Sequence, residues 1–173
     1  RTCDLEVCPA ERAALGGREP VMSLTPSPGN VDVMVASELI EAGRAMQNGY
    51  VSPERTTLVA STHRIYATVE KMQMADGRFE SERVIGAARQ LAKRAVLFDM
   101  RELAQQSGTV INAVLFGAMA GSGTLPLPRE ACERAIRAAG RGAEASLRGF
   151  AAGCEIAAGS PAPPAPAPAP RRP

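Results

Sequence analysis

The sequence predicts an α/β fold, a Rossmann-like open, mostly parallel sheet with a C-terminal group of helices. Short apolar runs occur at 31–36 (VDVMVA, rich in β-branched residues), 56–61 (TTLVAS) and 95–99 (AVLFD). Strands with one wet face would alternate, so these read as strands covered on both faces, as in a parallel sheet. Helix-period segments lie between the runs, and strand, helix and strand joined by short loops is the unit that builds such sheets with right-handed crossovers. Beyond Asp99 only helical patterns follow.

The first strand leads directly into a helix for which Ser37 is the expected N-cap. Glu38 and Glu41 place negative charge in its first turns, and Leu39, Ile40, Gly43 and Met46 form its apolar stripe. Asn48-Gly49 stops that helix, and Ser52-Pro53-Glu54 connects to the second strand. Residues 64–74 form a candidate helix, and Asp76-Gly77 a candidate turn. Val84, Ile85, Ala88, Leu91 and Ala92 then recur at helical spacing before the third strand.

Residues 109–120 (TVINAVLFGAMA) are apolar all round except for Asn112, which predicts a helix buried on every side and too short to cross a bilayer. A lone amide there must hydrogen-bond to another segment or a partner to offset its desolvation. Pro128 suits a first helical position, and Cys132, Ala135, Ile136 and Ala139 form the next stripe. Gly140 and Gly142 bracket a break before a last helix carrying Ala143, Leu147, Phe150, Ala151 and Cys154. Near the N-terminus, 4–7 and 21–24 are candidate strands.

The 173 residues are 45% hydrophobic and 22% charged, enough to bury one core, expected over residues 1–159. Residues 160–173 hold seven of the 14 prolines and read as a disordered, polyproline-like tail. Without Arg171 and Arg172 the 20 basic residues become 18 against 18 acidic ones, so the domain is formally neutral. That removes the electrostatic case for nucleic acid or an anionic membrane. No apolar run reaches the ~18 residues of a membrane span, and no secretory signal opens the sequence, so the expected compartment is the cytoplasm. Cys3, Cys8, Cys132 and Cys154 match no disulfide framework and read as reduced thiols, the last two as buried small hydrophobes. With one histidine and no C-x-x-C pair, a zinc or iron-sulfur site made by this chain alone is not expected.

The glycines of Gly117-Ala-Met-Ala-Gly121-Ser-Gly123 suggest a phosphate loop, but they close a helix instead of following a strand, and no G-K-[ST] accompanies them. They read as helix termination and close packing. Ser61-Thr62-His63-Arg64 is the most chemical stretch, because it leaves a parallel strand at its carboxyl end, where open α/β sheets bind ligands. Thr62 and His63 are therefore the first cleft or interface candidates, with Glu38 beside the first strand and Asn112 after them. No second histidine or cysteine partner completes a nucleophile relay, which disfavours hydrolase chemistry.

The segments VDVMVASELIEA (31–42), TLVASTH (57–63), INAVLFGAMA (111–120), LPLPREA (125–131) and ASLRGFAAG (145–153) resemble, in order, the gamma-type domain of 2-oxoacid:ferredoxin oxidoreductases. Within that family they are similar to the beta subunit of indolepyruvate ferredoxin oxidoreductase. The resemblance implies oxidative decarboxylation of indolepyruvate or a similar 2-oxoacid to an acyl-CoA, with electrons passing to ferredoxin. It implies thiamine diphosphate, iron-sulfur clusters and coenzyme A in the complex, with the cofactors carried by an alpha-type companion subunit and none bound by this chain alone. The family's opening strand, its G-x-G-G-x-G turn and its E-T-R-G segment have no counterpart here, so the expectation is a chain that starts after them and is inactive by itself. A stand-alone nucleotide-binding α/β module and a non-catalytic interaction or assembly domain are the competing readings.

Overall fold

The computed structural model describes residues 4–8, 14–63 and 76–159, with side chains from residue 81 onward in the last stretch. In chain order these form β1 (Val33–Ala36), α1 (Leu39–Gln47), β2 (Thr57–Ser61), α2 (Asp76–Leu91), β3 (Arg94–Phe98), α3 (Met100–Gln106), α4 (Ile111–Gly121), α5 (Arg129–Ala138) and α6 (Ala143–Gly159). The strands pair in the order β1-β2-β3, all parallel, with Ala36 opposite Ala60 and Ser61 opposite Phe98. This is the open, Rossmann-like α/β arrangement with helices following the sheet. The candidate helix at 64–74 and the tail at 160–173 lie outside the described residues.

Every residue of the central strand β2 is buried, because its side chains alternate into two cores. Leu58 and Ala60 pack on one face with Ala42 and Ala45 of α1 and Ala88 of α2. Val59 packs on the other with Val96, Met100, Ala104, Val114, Ala118 and Ala157. The sheet is thus sandwiched between helical layers, which explains why its strands lack an alternating pattern. α1 and α2 adjoin at Gly43, where an added Cβ would meet Val84 at 3.7 Å, an ordinary packing distance.

Helices α4 and α6 pack most intimately. Gly117 and Gly121 meet the backbone of Phe150 and Cys154, while Gly149 and Gly153 meet Thr109 and Val114, and a Cβ at any of the four would collide. Two glycine pairs, each at a spacing of four, thus bring the two backbones together, with the Phe116 and Phe150 rings 5.3 Å apart beside them. At the start of β3, Arg94 donates to the Ser122 carbonyl (2.8 Å) and the Ala157 carbonyl (2.6 Å). One guanidinium therefore satisfies orphan carbonyls at the C-terminal ends of both helices. It also fixes their direction: both helices end near the amino edge of β3, so both start toward its carboxyl edge.

Several expectations are corrected. Residues 4–7 and 21–24 form no strand, and Leu5, Val21 and Leu24 are exposed. Asp76-Gly77 lies within α2 instead of turning the chain. Glu38, not Ser37, occupies the N-cap of α1. Ile40 and Leu91, assigned to apolar stripes, point outward. The helix containing Asn112 is not buried on every side: Val114, Gly117 and Ala118 form its buried face, and Asn112 is exposed. Asn112 lies about 200° round the helix from Val114, so it faces away from the packed stripe.

Candidate functional site

Because the strands are parallel, they all deliver their following residues to one edge of the sheet. Ser37 and Glu38 follow β1, Thr62 and His63 follow β2, and Asp99 and Met100 follow β3. The ladder continues one step past the strands, with the Thr62 N–H donating to the Phe98 carbonyl at 3.0 Å, so Thr62 is held by its backbone. Asp99 is the N-cap of α3, its Oδ1 accepting from the Glu102 N–H at 2.9 Å.

Ser61 and His63 form the core of this edge. Ser61 is fully buried and His63 is 9% exposed. The Ser61 Oγ lies 2.7 Å from His63 Nδ1 and accepts from the Met100 N–H at 3.1 Å. The His63 N–H also approaches Oγ, at 3.5 Å. β2, the entry to α3 and the imidazole are therefore tied together through one hydroxyl. Half-buried Glu38 lies on the same edge, where its carbonyl accepts from the N–H groups of Glu41 and Ala42. Its side chain makes no cap hydrogen bond.

Thr62, His63 and Glu38 thus share the carboxyl edge, as their sequence positions suggested. Asn112 does not join them. It lines a separate open hollow of ≈ 230 Å³, with an apolar floor that includes Phe116 and Ile136 and with Arg141 and Ser146 at its rim. Sequence reasoning gave Ser61 no role of its own; its signal was a polar residue closing an otherwise apolar buried strand. Among the described residues no three His, Cys, Asp or Glu side chains are grouped to hold a metal ion. Cys132 and Cys154 are buried and Cys8 is half-buried.

A parallel sheet between helical layers, with hydroxyl, imidazole and carboxylate groups at its carboxyl edge, defines an α/β domain of the kind that places its ligand outside the strand ends. The sequence model of the pyruvate ferredoxin/flavodoxin oxidoreductase family matches residues 12–156, and the chain belongs to that family. The match runs through all three strands and nearly to the end of α6. No curated protein and no solved structure matches the chain.

Proposed function

We propose that this chain is a non-cofactor subunit, or part of one, in a cytoplasmic 2-oxoacid:ferredoxin oxidoreductase that converts indolepyruvate or a related 2-oxoacid to its acyl-CoA. The observation that carries this reading is the family match over residues 12–156. Choice of an aryl substrate rests on the segment resemblance at 31–42, 57–63, 111–120, 125–131 and 145–153 taken together. Thiamine diphosphate would supply the electron sink for decarboxylation, and iron-sulfur clusters would accept the electrons, both on the alpha-type companion, with ferredoxin as the outlet. The role of this chain is to wall the cleft with the carboxyl edge of its sheet. Thr62 and His63 would contact substrate, coenzyme A or the companion, while Glu38 keeps a carboxylate at the same edge.

An assembly role is the second reading, favoured by Leu5, Val21 and Leu24, which the described residues leave exposed. Viologen reduction by the assembled complex with coenzyme A, compared for indolepyruvate and pyruvate, tests the substrate assignment. Higher kcat/KM with indolepyruvate is expected; preference for pyruvate would overturn the aryl assignment.

A further inference from the structure

We propose that Ser61 is a positioning residue that fixes His63 as the neutral tautomer carrying its hydrogen on Nε2, so that the ring's remaining group is a donor suited to an acceptor oxygen of a 2-oxoacid. The ligand half of this inference rests on the function proposed above; the tautomer half stands on geometry alone.

A serine hydroxyl has one hydrogen and two lone pairs. The Met100 backbone N–H can only donate, and at 3.1 Å it occupies one lone pair of the Ser61 oxygen. The His63 N–H approaches the same oxygen at 3.5 Å. Ser61 is fully buried, so its hydrogen needs a protein acceptor or is left as an unsatisfied buried donor. Among the described residues that acceptor is His63 Nδ1, 2.7 Å away. The reverse bond, from Nδ1–H to Oγ, would add a further donor to a loaded oxygen and strand the hydroxyl hydrogen. The bond therefore runs from Ser61 O–H to Nδ1, and a neutral imidazole then carries its hydrogen on Nε2.

This polarity has a chemical consequence. With Nδ1 engaged by Ser61 and Nε2 already protonated, His63 has no free lone pair with which to take a proton from substrate. It can instead donate a hydrogen bond to a keto or carboxylate oxygen, a stabilising role and not that of a general base.

His63 is the only histidine in the sequence, so a two-bond proton–nitrogen spectrum of the ¹⁵N-labelled full chain contains a single imidazole. At mildly alkaline pH we expect one tautomer, protonated at Nε2. Protonation at Nδ1, or a mixture of tautomers, would overturn the proposal, and this result needs no variant. In the assembled complex, Ser61→Ala should lower kcat/KM by up to about tenfold, the worth of one such bond. It should add nothing in a His63→Ala background; additive losses would overturn action through His63. Ser61→Cys serves the same comparison if Ser61→Ala fails to fold. Unchanged kinetics for His63→Ala would overturn the ligand half and the cleft reading, while the spectrum would still decide the tautomer.

Discussion

A Cβ on Gly117 would collide with the carbonyl oxygen of Phe150, so α4 and α6 are packed backbone against backbone at that point. The atom in the way is main chain and cannot rotate aside. Gly117→Ala should therefore destabilise the protein by about 3 kcal/mol, because relief requires the helices to separate. Gly86 in α2 has nothing within 4 Å of its added Cβ. Gly86→Ala should stabilise by about 0.5–1 kcal/mol through helix propensity. Urea unfolding of the two variants beside the wild type checks the opposite signs.

Arg94→Ala should cost about 2–4 kcal/mol, since it removes a charged donor from the Ser122 and Ala157 carbonyls together. Hydrogen exchange should localise the effect, with faster exchange in the last turns of α4 and α6 and little change in α1. Uniform acceleration across all elements would argue against a role at these helix ends.

Burial pushes the Cys132 thiol above its ordinary value. Cys132 should therefore resist alkylation near pH ~8, while half-buried Cys8 reacts before it. Mass spectrometry of briefly iodoacetamide-treated protein, native and urea-unfolded, checks this: Cys132 should be modified only after unfolding.

On α5, the Arg129 hydrogen bond to Glu133 at 2.9 Å, helped by Arg137 at 3.4 Å, holds the Glu133 carboxyl below its ordinary value of 4.5. A carboxyl lowered in the folded state binds its proton more readily when unfolded. Its contribution is thus complete above pH 4.5 and fades as pH falls through the folded value. Wild type and Glu133→Gln should differ slightly in melting temperature near neutrality and converge in acid. A gap that widens in acid would reverse the assigned sign.

The sheet was legible because its strands are short apolar runs, at 31–36, 56–61 and 95–99, and the central one is buried on both faces. The carboxyl edge was legible for the same reason, since strand direction places Thr62 and His63 whatever the helices do. The burial around Asn112 was misjudged because composition carries no direction: α4 is apolar enough to suggest burial all round, yet its buried face is Val114, Gly117 and Ala118 and Asn112 is exposed. Val21 and Leu24 looked like strand residues by propensity but have, among the described residues, no strand beside them to supply ladder partners. The Ser61–His63 bond depends on a third group, the Met100 N–H, which comes from the next strand's exit and leaves no mark near residue 61.

Reconstitution tests the central claim most directly. The cofactor-bearing companion is assayed for thiamine-dependent viologen reduction with a 2-oxoacid and coenzyme A, alone, with this chain, and with its Thr62→Ala or His63→Ala variant. The account predicts little turnover by the companion alone, restoration by the wild-type chain, and lower kcat/KM with either variant at equal assembly. Full turnover by the companion alone, or variants that match wild type within assembled complexes, would contradict it.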